Sequence, residues 1–84
     1  MGRALVYPNP IIDKFTIDFL RPTTKDKKLI ISNSLGTTTE IITIPAGTIK
    51  YELNAVDYRP GIYNLVVDNH IEKDIVLRLV KVEW

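Results

Sequence analysis

The chain has 84 residues, balances 11 Lys and Arg against 10 Asp and Glu, and contains no cysteine. That length gives one domain near the lower limit for independent folding, and without cysteine neither disulfides nor a thiolate zinc site can brace it, so packing must. A formal net charge of +1 leaves no electrostatic footprint for nucleic acid, the longest apolar runs fall far short of a transmembrane segment, and no basic-then-apolar leader is present. If the domain is exported, its leader is expected upstream in a longer chain, or the domain is itself the signal. Met1-Gly2-Arg3 stays open between native sequence and a cloning remnant.

Taken in chain order, the residues spell short strands separated by proline, glycine and asparagine. Ala4–Tyr7 reads as a first strand, stopped by Pro8 because proline fixes φ and lacks the donor a ladder needs. Asn9, between Pro8 and Pro10, favours a turn. Lys14–Phe19 alternates, with Phe15, Ile17 and Phe19 on one face and Lys14, Thr16 and Asp18 on the other. Arg21–Lys27 is a polar connection holding Pro22, Thr23 and Thr24. Lys28–Asn33 places Leu29 and Ile31 inward and Ile30 and Ser32 outward. Ser34-Leu35-Gly36 turns the chain into Thr38–Ile44, where β-branched residues dominate.

Pro45-Ala46-Gly47 ends that strand, and Thr48–Leu53 follows with Ile49, Tyr51 and Leu53 on one face. Asn54–Pro60 is a connection. Gly61 permits φ values that other residues resist, after which Tyr63, Leu65 and Val67 alternate as a half-buried strand. Gly61–Asp68 and Asp74–Val82 form the last pair, joined around Asn69-His70. No window sustains apolar residues at helical spacing. Seven short strands with regular turn signals predict an all-β chain, a single antiparallel β-sandwich over residues 1–84. Its expected core is Phe15, Ile17, Phe19, Leu29, Ile31, Leu53, Tyr63, Leu65 and Val67.

No catalytic constellation stands out. His70, the only histidine, reads as an exposed turn residue rather than a ligand or base. Ser32 and Ser34 lack the glycine-flanked elbow of a nucleophile. Asp13, Asp18, Asp26, Asp57, Asp68 and Asp74 are too dispersed for a calcium loop, and Asp13 and Asp57 read as turn supports. Lys25-Asp26-Lys27-Lys28 is a solvated strand entrance, or else a basic patch for an acidic partner. Tyr51, Tyr58 and Tyr63 could stack on a sugar, but the inward register of Tyr51 and Tyr63 favours core. No cofactor is implied, and Trp84 has no assigned role.

The last strand carries two readings. Ile75, Leu77 and Leu79 alternate with Val76, Arg78 and Val80, so both faces are rather apolar. Either one face is covered by the opposite sheet and Val76 and Val80 are simply exposed, or a partner recognises the free terminal edge by strand addition. Arg78, Lys81 and Glu83 would then be the charges that blunt the edge.

Four blocks of residues resemble one family. Val6-Tyr7-Pro8-Asn9-Pro10 followed by Asp13-Lys14-Phe15-Thr16-Ile17 is similar to the opening of the C-terminal sorting domain of the bacterial type IX secretion system. Leu29-x-Ile31-x-Asn33-x-Leu35-Gly36 resembles its second block, and Pro60-Gly61-Ile62-Tyr63-x-Leu65-x-Val67 its third. Leu79-Val80-Lys81 resembles its closing segment. The blocks occur in order and span nearly the whole chain. Thr37 stands where the family usually places Arg or Lys, Tyr58 stands where a leucine is usual, and Val82-Glu83-Trp84 follow the closing lysine.

The resemblance implies an immunoglobulin-like sandwich with no enzymatic role. It implies an address label for an N-terminal cargo protein in bacteria of the Bacteroidetes group. The expected partners are the outer-membrane translocon, a shuttle protein, and a sortase that removes the domain after translocation, leaving the cargo at the cell surface or released. The signal residues it implies are Tyr7, Pro8, Asn9, Pro10, Gly36, Pro60, Gly61, Tyr63, Leu79, Val80 and Lys81. The alternative is a carbohydrate-binding or adhesive sandwich module of a secreted surface protein, since one sandwich hosts many functions.

Overall fold

The structure, a computed structural model, describes residues 4–68 and 75–82, Ile75 by its backbone alone. The expected turn at Asn69-His70, Asp74, Glu83, Trp84 and the first three residues lie outside the described residues. Seven strands run in order: β1 (Leu5–Tyr7), β2 (Lys14–Asp18), β3 (Lys27–Asn33), β4 (Thr38–Ile44), β5 (Lys50–Asn54), β6 (Gly61–Asp68) and β7 (Ile75–Lys81). They form a three-stranded sheet, β1-β2-β5, and a four-stranded sheet, β4-β3-β6-β7. Every strand pairing is antiparallel, and no helix occurs among the described residues.

The period-2 pattern sets which side chains face inward. In the three-stranded sheet Phe15 lies opposite Leu53. In the four-stranded sheet Leu29 lies opposite Val67 and Ile31 opposite Leu65. All nine expected core residues are buried. Four more join them: Ile11, Ile44, Ala55 and Leu79, each with no exposed surface. Every buried side-chain nitrogen or oxygen among the described residues has a hydrogen-bond partner, as a low-dielectric interior demands.

One expected inward residue is not inward. Ile49 is 46% exposed. Strand β5 begins at Lys50, so Ile49 precedes the alternation that places Leu53 inward and leaves Tyr51 half-buried. The Ile49 carbonyl instead accepts from the Phe19 amide at 2.8 Å, extending the β2–β5 ladder by backbone alone.

At this end of the sandwich Thr23 is buried within the polar connection after β2. Its hydroxyl donates to the Pro45 carbonyl (3.0 Å) and accepts from the Thr48 amide (3.2 Å). Its backbone exchanges bonds with Thr48 and Gly47. A single threonine thus ties the β2–β3 connection to the β4–β5 turn. The Asp26 carboxylate adds a bond from the Ala46 amide at 2.9 Å. Asp18 accepts from the amide of Leu20, whose φ of 70° lies in the left-handed region. These two aspartates supply carboxylate oxygens to the turns. Asp13 contributes its backbone carbonyl, which accepts from Ala55 at 2.6 Å.

Candidate functional site

The four sequence blocks converge on the opposite end. Strands β1, β3, β5 and β7 finish there and β2, β4 and β6 begin there, as the antiparallel registers require. Gly61 faces Lys81 across β6 and β7, and Asn33 faces Tyr63 across β3 and β6. The turns at this end are Pro8–Asp13, Ser34–Thr37 and Ala55–Pro60.

The first and last blocks are clasped together. Asn9 lies between two cis X-Pro bonds, and its side-chain amide acts as a surrogate strand residue. Its Nδ2 donates to the Arg78 carbonyl at 2.9 Å, and its Oδ1 accepts from the Val80 amide at 3.0 Å. Ile11 continues the pattern as a parallel bridge to Lys81. The Ile11 amide donates to the Val80 carbonyl (2.8 Å), and the Val82 amide donates to the Ile11 carbonyl (2.9 Å). The Ile11 side chain fills the core beneath. Asn9 therefore does more than favour a turn: it joins the two sheets at their ends.

This geometry corrects two expectations about the last strand. Its terminal half is not a free edge, because Asn9 and Ile11 already occupy the Arg78 carbonyl, the Val80 amide and carbonyl, and the Val82 amide. Nor is Lys81 a charge that blunts the edge. It is 7% exposed, and its ammonium donates to the Ile12 carbonyl. A lysine can do this because its long apolar stem packs while its head finds an oxygen at the rim. Leu79 is wholly buried. Residues 79–81 are structural before they are anything else.

The remaining blocks shape the turns. Asn33 accepts from the Leu35 and Thr37 amides, both at 3.0 Å, and Gly36 takes a φ of 88°. Thr37 enters that turn through its backbone, so a basic side chain is not needed to close it. Tyr63 is buried, and its hydroxyl donates to the Arg59 carbonyl at 2.6 Å. The Tyr58 ring leans on it with centroids 5.2 Å apart, and the Tyr58 hydroxyl donates to Glu40 at 2.6 Å. Burial first, then this bond and the Glu40 charge, raise the Tyr58 pKa above its ordinary value, so it stays a donor. The two rings pack on each other rather than presenting a flat face for a sugar, and Tyr51 is half-buried against the core. Among the described residues no group of three acidic, histidine or cysteine side chains is placed to hold a metal ion.

Gly61 opens β6 with a φ of 154°, and no atom lies within 4 Å of where a Cβ would stand. Space is not the constraint there; backbone conformation is. Gly61→Val is expected to cost about 1–3 kcal/mol, read as a lowered thermal midpoint. An unchanged midpoint would show that the turn relaxes freely.

Exposed apolar residues crowd this end. Leu35 at the tip of the β3–β4 turn is 89% exposed, Val56 59%, Ile12 45% and Tyr7 41%. Isolated apolar residues on a surface are ordinary, but three on the turns of one end, Ile12, Leu35 and Val56, suit contact with another protein. The sequence patterns marked the turns but not this exposure. Leu35 and Val56 carry no periodic signal that separates them from core leucines and valines.

A family model described as a secretion system C-terminal sorting domain matches residues 5–82. No curated protein matches the chain.

Proposed function

The chain belongs to the type IX secretion C-terminal sorting domain family, and we propose that its turn-bearing end is the surface the export machinery reads. Members of this family are sorting signals: they direct an N-terminally attached cargo through the type IX system to the cell surface or beyond. The finer reading is ours. The chain is a single such domain. The translocon and shuttle engage it in the folded state, and a sortase then removes it, so that the cargo is anchored or released. Tyr7, Pro8, Asn9, Pro10, Gly36, Pro60, Gly61, Tyr63, Leu79, Val80 and Lys81 act in recognition by building that end, not as a linear tag.

The observation that carries this reading is the Asn9 clasp. It brings the first block against the last, 71 positions apart in sequence, through the bond from the Val80 amide. Blocks so far apart share one end only in the folded sandwich. A machine that reads all of them therefore reads a fold. No nucleic acid contact is proposed, no cofactor enters, and the domain acts without catalysis. Among the described residues no helix is long and apolar enough to cross a membrane.

The test is sufficiency. A fluorescent reporter carrying a secretory leader and this domain is expected to reach the surface or medium of a host with a type IX system. If the reporter stays in the periplasm while the host exports its own cargo, recognition of this domain is disproved, and the carbohydrate-binding reading takes precedence.

A further inference from the structure

We propose that the outer edge of β4 is a self-association site, through which two copies of this chain join into one continuous eight-stranded sheet. The inference is separate from the sorting role and rests on the fate of the sheet edges. Strand β1 is only three residues long, and β5 carries Lys50 and Glu52. The terminal half of β7 is covered by Asn9 and Ile11. Strand β4 has seven residues, Thr38-Thr39-Glu40-Ile41-Ile42-Thr43-Ile44, without proline, lysine or arginine. Its one charge, Glu40, is engaged by the Tyr58 hydroxyl. Short length, charge, proline and coverage are the usual protections of an edge. Apart from Glu40 and a bulge near its start, β4 has none of them.

The ladder's alternation identifies which β4 groups point outward. The clasp shows that the even-numbered residues of β7 face away from β6. Carried across the antiparallel registers, this makes Glu40, Ile42 and Ile44 bond to β3 and leaves the N–H and C=O of Ile41 and Thr43 outward, while Thr39 is the bulged residue that the register skips between Glu40 and Thr38. An antiparallel partner copy must match outward residue to outward residue. Centring the pair on Ile41 does so: Ile41 meets its own copy, and the bulged Thr39 falls beside the partner's Thr43. Glu40 then lies opposite the partner's Ile42. Centring instead on Glu40 opposes two carboxylates, and centring on Ile42 sets Ile41 against the partner's Thr43 rather than against an apolar side chain. The register centred on Ile41 satisfies backbone, charge and apolar pairing together.

The outer face agrees with it. Ile41, Ile30, Val66 and Val76 lie in one row across the four strands. Ile41 is 58% exposed and Val76 63%. The proposed pairing sets the two Ile41 side chains together and runs this apolar row unbroken through both copies. The partner is a second copy because the edge is complementary to itself, as a two-fold interface must be.

The chain has no cysteine, so single cysteines report the register directly. An antiparallel hydrogen-bonded pair holds its Cα atoms about 5.5 Å apart, within disulfide reach. Under mild oxidation Ile41→Cys is expected to form a covalent dimer. Thr43→Cys alone should not. Sedimentation velocity of the unmodified domain should show a reversible dimer at high concentration, lost in Ile41→Pro, which removes an outward N–H that β3 does not use. Ile41→Lys serves should the proline variant fail to fold. A monomer at every concentration, a dimer indifferent to both substitutions at Ile41, or equal cross-linking at positions 41 and 43 would overturn the proposal. The first of these outcomes would leave β4 to an extended strand of another protein.

Discussion

Deleting residues 79–84 abolishes the cooperative unfolding transition of the domain. Leu79 has no exposed surface, and Lys81 is buried with its ammonium on the Ile12 carbonyl. The deletion also removes Val80, whose amide and carbonyl hold Asn9 and Ile11. Truncating a buried leucine to alanine alone typically costs about 2–5 kcal/mol. Removing a partner from a buried polar group costs about 1–3 kcal/mol. An 84-residue domain has roughly 4–13 kcal/mol in total, so the losses reach the whole. The measurement is thermal and urea denaturation followed by circular dichroism, with the intact chain alongside. A sigmoidal melt with an unchanged urea slope in the deleted chain would show that the terminal segment is dispensable. The same result bears on export. A domain lacking Leu79–Trp84 would fail to reach the surface because it is unfolded, so that deletion cannot isolate recognition.

The strands were legible because alternation is a local signal. Phe15-x-Ile17-x-Phe19 and Tyr63-x-Leu65-x-Val67 fix facing by themselves, and proline and glycine punctuate their ends. Ile11 was not legible, because it stands alone between turns and is recruited to the core only through a bridge to Lys81, far along the chain. Lys81 was misjudged for the same reason. A terminal lysine reads as solvated until a carbonyl from another segment meets its ammonium. Ile49 erred in the other direction: an isoleucine in phase with Tyr51 and Leu53 but one residue ahead of the strand. Asn9 shows the limit most plainly. Sequence identifies a turn asparagine, but a side-chain amide that completes a ladder depends on where β7 ends. Of the recognition surface, the blocks were legible as a family pattern, while their gathering at one end follows from strand direction and could have been read once the order of strands was known.

The second large effect separates recognition from stability. Leu35 touches little of its own fold at 89% exposure and is held through its backbone amide by Asn33. Val56 is likewise 59% exposed, its amide bonded to the Asn54 side chain. Replacing either with aspartate leaves these backbone bonds in place, and surface changes of this kind usually move stability by less than about 0.5 kcal/mol. An aspartate in a desolvated contact, by contrast, carries an unpaired charge that a partner must bury. Leu20 and Ile49 are comparably exposed, at 51% and 46%, but sit at the other end of the sandwich. The decisive measurement is therefore export of the leader–reporter–domain fusion in a type IX host, by fractionation, for Leu35→Asp with Val56→Asp and for Leu20→Asp with Ile49→Asp, each with a melting curve. The account predicts that the first pair keeps its fold and strands the reporter in the periplasm, while the second pair is exported as the parent is. Export of both pairs at the parental level, or equal loss from both with folds intact, would contradict it.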